Sequence, residues 1–199
     1  ALPISALYYF QRMQEVASSA AMRTTAQLGI LRCSYYTDNI AATIEVATSL
    51  IEQENLAEEI RQEAIYCRAK SHLKEKQYGL AIVDLTPISK EVRTIIGAEA
   101  KYELANCYFQ LGAIDMAEQE VMSFMQMQTT QQYWLAKSMI LLADINLQRN
   151  DTFQAKQYLL ALQANYKQTD DIQTIVAEKL TALETTKEET PELEEEDTL

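Results

Sequence analysis

The chain has 199 residues, 48% of them hydrophobic, enough to bury a core, while four Gly and three Pro are too few for a sandwich or barrel of many tight turns. A formal net charge of -12 argues against nucleic acid as a partner, because that binding rests on Lys and Arg neutralising phosphates. No stretch approaches the roughly 20 uninterrupted apolar residues of a membrane-spanning helix, so no direct membrane insertion is expected. Ala, Leu, Glu, Gln and Lys, which lose least on entering a helix, fill most segments, and the fold class expected is all-α.

The opening "ALPISALYYF" has neither an initiator Met nor a basic region ahead of an apolar run, so any targeting signal is expected to have been removed or to lie upstream. Beyond it, pairs of small residues recur twelve apart: Gly29 and Ala41, Ala69 and Ala81, Ala105 and Ala117, Ala143 and Ala155. Successive pairs are offset by 40, 36 and 38 residues, and each member is centred in a helical apolar pattern, as in "YELANCYFQL" and "DMAEQEVMSF". Each unit thus reads as helix, short turn, helix, with the small residues where the two helices cross closely. Ala6 and Phe10 have the spacing of a second helix, and Ala6 precedes Gly29 by 23 residues, so the chain is expected to begin inside a repeat, as a piece of a longer array.

Pro87 is expected to end its helix near Thr86, with residues 89 to 97 beginning the next. Gly112 is expected to close a helix in the left-handed conformation; Gly79 has no assignable role. Asp151 and Gln154 form a capping-box pattern. Ile172, Ile175, Val176, Leu180 and Leu183 share one face of a last helix over 170–184, with Asp170 and Gln173 placed to cap it; such a helix shields the end of a stack and marks the expected end of the array. From Glu184 to Leu199 there are eight acidic residues and one Lys, a net of -7, against -5 for the remainder. Residues 185–199 therefore read as an acidic flexible tail, either a solvated extension or a docking motif.

These residues resemble the tetratricopeptide repeat family. Leu28 and Gly29, Leu104 and Ala105 with Tyr108, and Leu142 and Ala143 fit its pattern, whereas Arg68, His72, Arg32 and Asn146 depart from it. The resemblance implies a right-handed α-solenoid: residues 1–17 as the second helix of a preceding repeat, 18–169 as four helical hairpins, then the capping helix. The aromatic-rich "QYWLAKSMILLADI" further resembles the closing repeats of long Bacteroidetes-type envelope proteins, which implies periplasm or cell envelope.

Chemistry-bearing residues are sparse. His72 is the single histidine, at a helix anchor position, and reads as a packing or surface residue. Cys33, Cys67 and Cys107 fall singly on three helices without metal or disulfide spacing and read as buried free thiols. No phosphate loop, HExxH or GxSxG occurs. Glu58, Glu59 and Glu63 read as a solvated charged face, and Met22, Met116, Met122, Met125, Met127 and Met139 as mostly core. No catalytic residue, cofactor or metal is expected.

In the family the concave groove is lined from the first helix of each repeat. Carried over by alignment, it would be formed here by Glu63, Tyr66, Lys70 and Leu73; Glu99, Tyr102, Asn106 and Phe109; Lys137, Ile140, Asp144 and Leu147; and, in the first repeat, Arg23, Ala26, Ile30 and Cys33. The Lys and Asn pair with which some relatives clamp a terminal carboxylate is absent. The resemblance implies a non-enzymatic protein-interaction scaffold that holds a peptide or helix in that groove. The alternative is a structural assembly module in a larger envelope complex, with self-association through the first half-repeat.

Overall fold

The computed structural model describes residues 2–188. Among them are ten α-helices and no strand: α1 (Leu2–Glu15), α2 (Ala20–Tyr36), α3 (Ile40–Ile51), α4 (Glu58–Lys74), α5 (Tyr78–Ile88), α6 (Ile95–Gln110), α7 (Ile114–Gln126), α8 (Gln132–Gln148), α9 (Thr152–Asn165) and α10 (Ile172–Glu188). Each helix packs on the next in chain order, and α2 also touches α4, α6 touches α8, and α8 touches α10. There is no common centre. The core is a row of clusters, each built from an even helix, the odd helix after it and the following even helix. Leu31, Ala47, Leu50 and Ala64 make the first, and Ala69, Ala81, Leu85 and Leu104 belong to the second. Ala105, Ala117, Val121 and Leu142 fall in the third, and Ala143, Ala155, Leu159, Ile172 and Val176 in the fourth.

Four hairpin links share one backbone solution. After α2, α4, α6 and α8, a left-handed residue reverses the chain: Asp38 (φ 59°), Lys76 (φ 56°), Gly112 (φ 73°) and Asn150 (φ 62°). At each, the next residue's N–H donates back to the helix: Asn39 to the Ser34 carbonyl (2.9 Å), Gln77 to His72 (2.8 Å), Ala113 to Tyr108 (2.9 Å) and Asp151 to Asn146 (2.9 Å). The left-handed residue itself donates to the carbonyl three before it, completing a Schellman closure that satisfies otherwise orphaned carbonyls. Gly112 therefore has the conformation expected of it.

These links correct the register of the first hairpin. In the other three, the left-handed residue follows the first small anchor by seven positions and precedes the second by five. The same count from Asp38 gives Leu31 and Thr43, not Gly29 and Ala41. Burial agrees, since Thr43 is 1% exposed whereas Ala41 lies in the open. Thr43 can sit there because its hydroxyl donates to the Asn39 carbonyl (2.8 Å), and the bulk of Leu31 is received by Ala47 and Ala64. Gly29 is small for a different neighbour. A Cβ on it would lie 2.4 Å from the Phe10 ring of α1.

Pro87 does not end α5, which runs on to Ile88. In the last turn its ring removes only one ladder bond, and Ser89 N–H still reaches the Leu85 carbonyl (2.9 Å). Residues 89–94 are not helical, so α6 begins later than the sequence predicts. Val92 is buried there beside Ala98 and Phe124, and Thr94 caps α6 by accepting from Gly97 N–H (3.0 Å). A Cβ at Gly97 would lie 2.0 Å from the Glu91 carbonyl oxygen, so this link requires glycine. At the first turn of α5, a Cβ on Gly79 would meet nothing within 4 Å.

Two capping expectations are met by half. Asp151 accepts from Gln154 N–H (3.0 Å), but its own N–H is spent in the Schellman closure rather than on Gln154. Asp170 accepts from Ile172 N–H (3.1 Å), whereas Gln173 donates to the Tyr166 carbonyl (2.6 Å) at the end of α9, so it ties two helices together instead of capping its own. Ile172, Val176 and Leu180 are buried as expected, with Ile175 and Leu183 packed at their margin. Residues 185–188, expected in the tail, continue α10, and the rest of the acidic tail, 189–199, lies outside the described residues. The methionines divide: Met127 and Met139 pack in the core, but Met116, Met122 and Met125 are exposed. The reason is that α7 buries the stripe Ala117, Val121 and Phe124, and these three methionines flank it.

Candidate functional site

The register set by the links changes which α2 residues join the face expected to form a groove. Ala26, Ile30 and Cys33 are buried, which corrects their assignment to that face, and Arg23 lines a different cavity. The positions equivalent to Lys70 and Leu73 in α2 are Arg32 and Tyr35. Arg32 forks onto Glu63 of α4 through Nε (2.6 Å) and Nη2 (2.7 Å).

The structure gathers the expected residues into two recesses. The first, of about 370 Å³, lies between α2 and α4 near the start of α6, and brings Glu63 and Tyr66 together with Arg32, Tyr35, Tyr36 and Glu59. The second, of about 200 Å³, brings together Tyr102, Asn106 and Phe109 of α6 and Lys137, Ile140 and Asp144 of α8, closed by Ile175 and Lys179 of α10. Ile140 is a buried wall residue, and Lys179 pairs with Asp144. Leu73 and Leu147 pack against core clusters and line neither recess.

Lys70 and Glu99 also line neither. They form a polar bar from α4 to α6: Lys70 Nζ donates to Glu99 (2.7 Å) and Glu103 (3.2 Å), and the Tyr66 hydroxyl donates to the other Glu99 oxygen (2.8 Å). Glu99 is 9% exposed, and each of its two carboxylate oxygens is met by a donor. Burial alone would lower the Lys70 ammonium, but its hydrogen bond to Glu99 and the charges of Glu103 and Glu99 outweigh burial and hold it above its ordinary value. Burial first, then the Glu99 charge, raises the Tyr66 phenol.

Aromatic faces carry cations at both recesses. Lys74 Nζ lies 5.9 Å from the Tyr35 centroid and Lys137 Nζ 5.8 Å from that of Tyr102, which also packs on Trp134 at 5.6 Å. Trp134 in turn meets Tyr133 edge-on at 5.0 Å.

The remaining candidates are held by their neighbours. His72 is buried, with Nδ1 2.8 Å from Gln77 and Nε2 3.9 Å from Asp84, whose carboxylate is forked by Arg68 (2.9 and 2.7 Å). Arg68 and His72, both drawn to Asp84, thus form one polar network inside the hairpin. Cys33, Cys67 and Cys107 are buried and free. Burial, then the charge of Glu63 or Glu103, pushes the Cys67 and Cys107 thiols up to about 12, so both are protonated at neutral pH. A larger cavity, about 830 Å³, opens where α2 begins beside the α3–α4 link. Its polar side chains satisfy each other: Gln27 donates to Ser49 (2.9 Å), Gln53 to Gln27 (2.7 Å) and Thr24 to Gln53 (3.0 Å). Among the described residues, no three His, Cys, Asp or Glu side chains are placed to hold a metal, and no helix is long and apolar enough to cross a membrane.

Sequence reasoning missed Arg32, Tyr35, Tyr36 and Glu59 at the first recess. For the three α2 residues the signal is the turn, because Asp38 and Asn39 stand where Gly112–Ala113 and Asn150–Asp151 stand in later hairpins; no such signal marks Glu59. The chain matches no protein-family model and no curated protein.

Proposed function

We propose that the chain is a tetratricopeptide-like right-handed solenoid and a non-enzymatic interaction scaffold, binding a peptide or helix along the face of its even-numbered helices. The observation that carries this is the pair of aromatic recesses at equivalent helix positions, open on either side of the Lys70–Glu99 bar. Aromatic side chains beside fixed charges supply contact area at little entropic cost, which suits anchoring side chains of an otherwise extended ligand. The test is selection from a random peptide display library on the full chain, repeated with Tyr36→Ala, Phe109→Ala and Lys137→Ala together. Peptides that bind the parent and lose most of their affinity for this variant, at unchanged helicity, support the reading. An enriched set that ignores the three substitutions, or no enrichment, overturns it.

A second reading, an assembly module, has its own observation. The odd helices leave apolar side chains exposed: Leu80 and Val83 on α5, the three methionines on α7, and Phe153 and Leu160 on α9. Apolar groups left open in this way favour contact with other chains. Light scattering over a concentration series separates the readings: self-association abolished by Val83→Glu and Phe153→Glu favours assembly, and a monomer at all concentrations removes self-assembly.

A further inference from the structure

The first recess has a surplus of negative charge that its own cations do not cancel. Arg32 is committed to Glu63, Lys70 to Glu99 and Glu103, and Lys74 to Asp38. Among the residues that line the recess, Arg32 is the one cation and it faces two carboxylates, Glu59 and Glu63. Of these, Glu59 has no ion-pair partner among the described residues. The walls are three tyrosine rings, of which Tyr36 is 79% exposed, and Ile96 of α6 at the rim. Tyrosine faces and an unpaired carboxylate both favour a cation, and the chain already seats one of its own, Lys74, over Tyr35. Burial is the main cause that raises Tyr35, Tyr66 and Cys67; Glu99 raises Tyr66 further, whereas Lys70 and Lys74 act against the rise at Tyr35 and Arg32 against that of Glu63 at Cys67.

We infer that this recess is a socket for a cationic side chain, Arg or Lys, of a basic peptide. The guanidinium or ammonium meets Glu59 and the Tyr36 ring, and its aliphatic stem lies on Tyr66 and Ile96. The second recess differs, since Lys137 and Lys179 there face the single carboxylate of Asp144. The socket is therefore selective in position along the face and is not a general attraction of an acidic protein for bases. This inference rests on the peptide-binding reading and specifies one of its anchor points.

The test is a titration of the full ¹⁵N-labelled chain with N-acetyl-arginine amide, N-acetyl-norleucine amide and N-acetyl-glutamate amide, read at the backbone amides of Gln62, Cys67 and Ile96. Arginine should move them saturably, norleucine should bind about fivefold more weakly, and glutamate should leave them in place. Glu59→Gln should weaken arginine about threefold and leave norleucine unchanged, since only charge is removed. Glu58 remains to serve the α4 N-terminus, so the fold does not depend on Glu59. Tyr36→Leu, which keeps apolar area at an exposed position, should also weaken arginine alone. Raised salt should weaken arginine binding in the parent. Equal binding of arginine and norleucine, indifference to Glu59→Gln, or no shift with any probe overturns the socket. If the display library still yields groove-dependent peptides, only the socket falls; if it yields none, the reading beneath it falls too.

Discussion

The first hairpin, α2 with α3, and the third, α6 with α7, reach the same turn geometry with opposite materials. In the third, Ala105 and Ala117 meet at the crossing and Gly112 makes the reversal. In the first, Leu31 and Thr43 occupy the crossing and Asp38 the reversal, with the added bulk taken up by Ala47 and Ala64. The even helix of each of these two hairpins also has a glycine under a close neighbour, but Gly29 faces a side-chain ring and Gly97 a backbone carbonyl. What is held constant is local volume and backbone conformation, while residue identity is free to move between partners.

This contrast can be broken by substitution, and the largest effect should come from the crossing itself. Leu31→Ala would leave a cavity among Ala47, Leu50 and Ala64 and should cost about 3 kcal/mol in urea denaturation. A cost below about 1 kcal/mol would show that Leu31 is not the packed anchor. Gly97→Ala comes next, at about 2 kcal/mol, because the Glu91 carbonyl belongs to the backbone and cannot rotate aside. Gly29→Ala should cost about 1 kcal/mol, and a double-mutant cycle with Phe10→Ala should recover most of it. Absence of that coupling would return Gly29 to the α2–α3 crossing. The smallest effects belong to the reversals: Gly112→Ala should cost about 1 kcal/mol, and Asp38→Gly should gain about 0.5 kcal/mol, both read as shifts in thermal midpoint. Changes of opposite sign at the two sites would confirm a shared left-handed requirement.

Much of this was legible in the sequence. The helical class, the small-residue crossings of three hairpins, the reversal at Gly112 and the apolar face of α10 follow from periodicity and from glycine chemistry. The first hairpin misled because Gly29 imitates a crossing residue while answering to Phe10, which lies on the helix before it. The α5–α6 link misled because Pro87 is tolerated where a helix is already ending. As for the candidate site, the groove positions implied by the family resemblance included Tyr66, Tyr102 and Phe109, but not the Lys70–Glu99 bar or the partition into two recesses. Those depend on which charged side chains meet between helices, and one helix's periodicity holds no record of its neighbour's charges.

The four reversals have one more consequence. Their defining bonds join peptide groups, and their central positions hold Asp, Lys, Gly and Asn. A side-chain change there alters stability by only about 1 kcal/mol and leaves the direction of the chain untouched. Substitutions can therefore accumulate at these corners over generations, and the hairpins can drift apart in spelling while each still delivers its second helix to the same place.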